Sequence, residues 1–432
     1  MRIVIVGGSF AGIQTAISLR NDCPESEIII IEKQARIGFI PNSVNLILKG
    51  EFHEEAHHYW MTKEQLTQEH QIAVRVETEV TALNSDKNQI QLNDGEILSF
   101  DFLVIATGSQ QRFRFSTQEN DTIWTIKDPK TSQQFQQRIG KAKKIAVIGA
   151  GQVGLELIEG LANLGKELHL YESQSTVLFR YFDPEMIKPL YRELDNRGIR
   201  FFLNEQVQEI IETEQTEIFT EKRSETYDLV LLANYTRPDN QLWEASLQLN
   251  DDGTIWVNDY LQTSQENIYA IGDAIQVTYR PTQEKMYVSL VNNAIRTAKI
   301  ASKNISGQQK KDLGTYRPIG NHWFGHYFGS VGLTESESIF YPGKINTQLL
   351  TTRASATNQE SIKIKVLLTE EGKLLGAQCH SQAVIFYLLD RLTVAVEEGW
   401  TLADLEAREF FFQPEYRAPT ALVKVVDPFD ED

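Results

Sequence analysis

Cysteine is nearly absent. The 432-residue chain holds two, Cys23 and Cys379, too few for a disulfide framework, a CxxC pair or a cysteine zinc site. A reducing cytoplasm is the expected compartment. Positive charge is also in deficit: 42 Lys plus Arg against 59 Asp plus Glu leave a net charge of −17. A field of that sign repels phosphate backbones and anionic bilayers, which argues against nucleic-acid and membrane partners. No apolar run approaches the roughly 20 residues that span a bilayer; stretches such as Ile28–Ile31 and Leu229–Ala233 are strand-sized. The chain opens on MRIVIVGG, a strand entering glycines, so no targeting leader is expected. Low-complexity linkers are missing too, so domains are expected to pack tightly. The composition, 41% hydrophobic and 23% charged, excludes disordered, collagen-like and coiled-coil chains. The length suits about three domains.

What is present is a motif written twice. Arg2-Ile-Val-Ile-Val-Gly-Gly-Ser-Phe-Ala-Gly12 is followed by a helical pattern and a strand closing on an acid, Glu27 to Glu32. Lys144-Ile-Ala-Val-Ile-Gly-Ala-Gly-Gln-Val-Gly154 is followed by the same, Glu167 to Glu172. Strand, glycine turn, helix, strand, acid is the βαβ dinucleotide fingerprint. Gly7 and Gly149 make the tight turn. The middle position (Ser9, Gly151) brings backbone N–H groups to a pyrophosphate at the positive helix end. Gly12 and Gly154 let helix pack on strand. The terminal acid accepts ribose hydroxyls and repels a 2′-phosphate, which points to FAD at the first site and to NADH over NADPH at the second. A single glycine turn also occurs in nucleotide-free α/β folds, and Ser9 makes the first copy imperfect. Two copies, each with its acid, outweigh that alternative.

Other segments fit an α/β plan of two Rossmann-like domains followed by a third, α+β domain. Asp101 to Ser109 is a strand entering a small-residue turn. Asn267 to Ala274 is another, ending in Gly272-Asp273 and leading to a helix near Asn292 to Asn304. From about His322 the pattern predicts antiparallel strands at Gly325–Thr334, Asn346–Thr352, Ile362–Leu368 and Lys373–His380, then helices at Val384–Glu398 and Leu402–Ala407. The tail Asp427–Asp432 is expected to fray.

These residues resemble the NADH oxidase, NADH peroxidase and coenzyme A disulfide reductase family of FAD-dependent pyridine nucleotide–disulfide oxidoreductases. The resemblance runs through GGSFAG, Glu32-Lys33, Ala106-Thr107-Gly108, GAGQVG, IYAIGDA and Asp404 to Pro414. It implies an FAD domain from residues 1–112 and 243–318, an NAD(H) domain from 113–242 and a C-terminal homodimerisation domain from 319–432. It places Gly7, Gly8, Ser9, Ala11, Gly12, Glu32 and Lys33 at the FAD pyrophosphate and adenosine, with the Val80 backbone at the adenine. Ala106, Thr107 and Gly108 fall on the second pass along FAD, and Gly272-Asp273 on its ribityl chain and phosphate. Gly149, Gly151, Gln152, Val153, Gly154 and Glu172 fall on NADH.

Departures from that family are as informative. Its redox cysteine lies in a segment of the form Phe-Leu-Ser-Cys-Gly; here Phe39-Ile-Pro-Asn-Ser43 puts Asn42 at the cysteine and Ser43 at the glycine. Its histidine in the first glycine turn is here Phe10. An amide can neither act as a thiolate nor form a sulfenic acid. Cys23, at the far end of the first helix, and Cys379, which alternates like an inward strand residue, are not expected to substitute. Tyr235 stands at a glycine of the nicotinamide loop, where a phenol either blocks the site or swings aside as a gate. Gln152 stands where the family carries an aromatic that stacks over the flavin, which suggests a looser nicotinamide site. Three further groups are expected to be structural or interfacial. His53-Glu-Glu-Ala-His57 matches HExxH but is expected to be a solvated helix. His322, Trp323 and His326 are expected in the core or a dimer contact. Phe410 to Phe412 are expected at a dimer surface or in the core.

The expected function is therefore an FAD-dependent NADH oxidoreductase. Hydride passes from NADH to FAD and on, without a cysteine relay, to oxygen, giving hydrogen peroxide, or to another acceptor such as a quinone. The alternative is a non-enzymatic FAD-binding redox or ligand sensor with a blocked nicotinamide site. No metal is expected.

Overall fold

A computed structural model describes residues 1–41, 43–50, 58–111, 122–125, 138–212, 215–234, 236–418 and 422–424. Asn42, Tyr235, the His53–His57 stretch and the Asp427–Asp432 tail lie outside the described residues.

The two fingerprints build two five-stranded parallel sheets of the same design. The first has the order Ile268–Ala270, Phe102–Ile105, Arg2–Val6, Glu27–Ile31, Ala73–Arg75. The second has the order Ile123–Trp124, Leu229–Leu232, Lys144–Ile148, Glu167–Tyr171, Arg200–Phe202. In each, the strand entering the glycine turn is central and the acid-terminated strand lies beside it, in register from Arg2↔Glu27 and Lys144↔Glu167. Both strands of each pair are almost fully buried beyond their first residue, as sheets covered on two faces require. The outermost strands differ in origin: the first sheet takes Ile268–Ala270 from a later return of the chain, the second takes Ile123–Trp124 from upstream.

Helices Phe10–Asp22 and Gln152–Ala162 lead from the turns back along the sheets. A long helix, Val291–Ile305, lies against the first of them. Its buried face of Ala294, Thr297, Ala298 and Ala301 is small, so the backbones approach closely. One core joins residues 3–106 with 243–305, and a second gathers residues between 124 and 231 with Val44, Ile319, Trp323 and Phe328.

A six-stranded antiparallel sheet follows, in the order Ile319–Trp323, His326–Gly332, Leu374–Ser381, Ser361–Leu368, Asn346–Arg353, Val423–Lys424. Helix Phe386–Glu397 covers it with Leu388, Leu389, Leu392, Ala395 and Val396. The sheet starts at Ile319 rather than near His322. Phe324 (φ 50°) and Gly325 (φ 81°) both take left-handed backbone and close a two-residue hairpin, Trp323↔His326, so an extra strand precedes the expected one. Among the described residues, no helix is long and apolar enough to cross a membrane.

Candidate active site

The two glycine turns are held by repeated hydrogen bonds. Gly7 N–H donates to Ile31 O (2.8 Å) and Gly149 N–H to Tyr171 O (2.8 Å). Both glycines sit at positive φ, 113° and 103°. A Cβ on Gly12 would lie 1.8 Å from Gly7 O, and one on Gly154 1.9 Å from Gly149 O. The third glycine of each motif is therefore a packing requirement, with backbone as the obstacle. Ser9 and Gly151 are the helix N-caps, and neither supplies a capping side chain. The Ser9 hydroxyl donates instead to Phe39 O (3.4 Å). No acidic residue stands in either first turn. Both helix ends thus keep N–H donors for an anion.

The acids repeat as well. Glu32 accepts from Gly8 N–H (2.7 Å) and Gln34 N–H (2.8 Å). Glu172 accepts from Ala150 N–H (2.8 Å), Gln174 N–H (2.9 Å) and the Ser173 hydroxyl (3.1 Å). Each carboxylate is fixed against its own turn and retains lone pairs for a sugar hydroxyl. Val80, buried, opens a strand just beyond Thr78, whose N–H donates to Glu32 O (3.0 Å). Lys33 is exposed beside it.

Ala106 N–H donates to Val6 O (2.8 Å), and its carbonyl lies 2.2 Å from where a Gly7 Cβ would be. Thr107 is exposed, followed by Gly108 at φ 70°. Gly272 (φ 63°) nests against Ala11, and its N–H donates to Thr297 Oγ1 (3.1 Å). Asp273 Oδ2 accepts from the Ser109 and Ser289 hydroxyls (2.6 and 2.5 Å). These groups converge beside the first turn. Burial pushes the nearby Tyr287 phenol well up, Asp273 adding to it, so it stays a neutral donor. On the second turn, Val153 is exposed and Gln152 Oε1 accepts from Asn321 Nδ2 (2.6 Å).

The segment Gly38–Ile40 lies along the first turn. Gly38 N–H donates to Gly8 O (2.7 Å), Trp60 N–H to Gly38 O (3.0 Å) and Ile40 N–H to His58 O (2.8 Å). Phe10 stacks on Trp60, with centroids 5.4 Å apart and planes 6° from parallel. The buried Trp60 indole N–H finds no acceptor among the described residues. Ser43 is buried, its Oγ 2.6 Å from His58 Nδ1. The short helix Ser43–Leu48 docks on Gln152–Ala162: Asn45 Nδ2 donates to Glu156 Oε2 (3.2 Å), Lys49 pairs with Glu159 (2.9 Å) and Leu48 covers Gly160.

Neither thiol is placed for redox work. Cys379 is buried, its Sγ 3.6 Å from Gly329 O, and burial pushes its pKa up to about 12. Cys23 caps the C-terminal end of helix Phe10–Asp22, opposite the glycine turn, and burial raises its pKa too. Of the remaining candidates, Trp323 and His326 are core, His326 Nδ1 lying 3.0 Å from His380 Nε2. Phe410 packs against the C-terminal core, whereas Phe411 and Phe412 are 72% and 55% exposed. Motif reading missed His58, Trp60, Ser109, Ser289 and Asn321. Ser109 adjoins the Ala106–Gly108 turn and His58 the HExxH match, whereas the others adjoin no motif.

Two fingerprint units and an antiparallel domain define a dinucleotide-dependent oxidoreductase. The chain belongs to the pyridine nucleotide–disulphide oxidoreductase family, whose model matches residues 1–298, and it is an NAD(P)H oxidoreductase enzyme. It is 27% identical to an NADH oxidase of Enterococcus faecalis, over 97% of each chain. It is 28% identical to a coenzyme A disulfide reductase of Staphylococcus aureus, over 98% of each. The fold matches a water-forming NADH oxidase of Lactobacillus brevis solved with NADH, at a TM-score of 0.90 and 24% identity, covering 98% of this chain and 96% of that one.

Proposed function

We propose that the chain is an FAD-dependent NADH oxidoreductase that passes electrons to a small-molecule acceptor without a cysteine relay, oxygen giving hydrogen peroxide. The position of the thiols carries this reading: one is sealed in the C-terminal core and the other lies at the wrong end of the first helix. FAD and NADH are the cofactors. The residues fit them, since a side chain at Gly7 or Gly12 would collide with backbone at the turn a pyrophosphate approaches. When bound, FAD accepts hydride from NADH and returns the electrons to the acceptor.

The chain's own groups bind and orient. The first helix end, with Gly8, Ser9, Ala11 and Gly12, takes the FAD pyrophosphate; Glu32, with Lys33 beside it, takes the adenosine ribose, and the Val80 backbone meets the adenine. Ala106, Thr107, Gly108 and Gly272-Asp273 line the ribityl side, where the Ser109 and Ser289 hydroxyls fix the Asp273 carboxylate through its Oδ2. Gly149, Gly151, Val153, Gly154 and Glu172 take NADH, and the Glu172 charge disfavours a 2′-phosphate. Phe10, Ser43 and Asn42 occupy the positions of the family's redox groups, Tyr235 that of a nicotinamide-loop glycine. Residues 1–112 with 243–318, 113–242 and 319–432 form the FAD, NAD(H) and dimerisation domains of a cytoplasmic homodimer.

The test is anaerobic mixing of the FAD-loaded protein with NADH, followed at about 450 nm, where oxidised flavins absorb. Rapid bleaching, then peroxide on admitting air, is the expected result. A flavin that NADH leaves yellow contradicts the reading and favours a sensor.

A further inference from the structure

Gln152 is the first residue of the helix that follows the second glycine turn, and its side chain is held from the antiparallel sheet. Asn321 Nδ2, from the first strand of the antiparallel sheet, donates to its Oε1 at 2.6 Å. Tyr181 belongs to a strap that follows the acid Glu172. Leu178, in left-handed backbone (φ 54°), donates its N–H to Ala150 O (2.9 Å) on the glycine turn. Three residues on, Ser330 Oγ donates to Tyr181 O (2.5 Å), and Asp183 N–H donates to Gln378 Oε1 (2.8 Å). The strap therefore runs from the second glycine turn to the C-terminal sheet, and Gln152 Oε1 is engaged across that junction.

We propose that Asn321 is a positioning residue for the nicotinamide end of the NADH site, acting through Gln152. This rests on the NADH reading above. An amide can point either way and take several rotamers, so an unheld Gln152 would lie across the space beside the helix end. Anchored to Asn321 it forms a fixed polar wall. The pyrophosphate and adenosine contacts, supplied by backbone and Glu172, do not depend on it.

The test is calorimetric titration of the FAD-loaded protein with NAD⁺ and, separately, with ADP-ribose, which lacks the nicotinamide. Losing one net hydrogen bond corresponds to about a tenfold change. Asn321→Leu, or Asn321→Ala if leucine folds poorly, is expected to weaken NAD⁺ by about that factor and ADP-ribose by less than about twofold. In a Gln152→Leu background the Asn321 substitution is expected to change NAD⁺ binding no further, because its route of action is gone. Equal weakening of both ligands marks a purely structural role and overturns the proposal. So does unchanged NAD⁺ binding, or effects of the two substitutions that simply multiply. A parent protein that binds neither ligand overturns the NADH reading itself, and this inference with it.

Discussion

Glu172 holds its carboxylate on two backbone N–H groups and a serine hydroxyl, and in the proposed function its charge is the feature that separates NADH from NADPH. Glu172→Gln keeps the size but removes the charge and puts an N–H donor where an acceptor is needed. It is expected to raise KM for NADH by about tenfold, the scale of a hydrogen bond to a charged group, and to narrow the preference over NADPH, measured as the ratio of kcat/KM values. Asp273→Ala leaves the Ser109 and Ser289 hydroxyls without their acceptor, and the expected outcome is purified protein with a lower flavin-to-protein absorbance ratio. Glu172 was legible in the sequence because it closes a strand at a fixed distance from a glycine turn, whereas Asp273 was placed by the family resemblance of its IYAIGDA segment. Ser289 and His58 were not, because each meets its partner only through tertiary folding, 16 and 15 residues along the chain. A hydroxyl in such a stretch carries no periodic signal.

The βαβ units were read correctly from periodicity and glycine spacing, although the strand order of the sheets was not. The reason is physical: Gly12 and Gly154 face backbone oxygen, so no other residue fits and the motif cannot blur. Gly12→Ala is expected to destabilise the protein by at least about 1–3 kcal/mol, the usual overpacking range, seen as a lower denaturation midpoint and lost flavin. The hairpin at Trp323 to His326 was missed because Phe324 takes a left-handed conformation usually left to glycine or asparagine. Inside this sheet His326 and His380 face each other, and burial lowers both pKa values, that of His380 to about 3. The folded state therefore resists protons that the unfolded chain takes up near 6.5. Stability is expected to fall as pH drops from about 6.5 towards 3, by up to about 1.4 kcal/mol per unit for His380, with His326 acting in the same direction. His380→Phe is expected to flatten that decline in denaturation curves collected across this pH window; an unchanged slope counts against the account.

Across the whole molecule, the parts are joined by buried charge as well as apolar cores. Lys365, 2% exposed in the antiparallel sheet, meets Asp183 (2.9 Å), Glu335 (2.6 Å) and Glu185. Lys365→Met would leave buried carboxylate charge unpaired, a loss on the order of 3–5 kcal/mol, expected as a lower thermal midpoint. No pattern in the sequence announces such a cluster, since its members come from distant segments and each looks like ordinary surface charge. Cysteine scarcity, in contrast, was legible from the start, and the fold explains its consequence: the two thiols occupy a sheet core and a helix C-terminus, remote from the glycine turns. The most direct measurement compares hydrogen peroxide formed with NADH consumed in air-saturated buffer, for the parent and for a Cys23→Ser, Cys379→Ala variant. The account predicts one peroxide per NADH in both proteins, with equal kcat. Water as the product, at two NADH per oxygen, or turnover lost with the thiols, would contradict it.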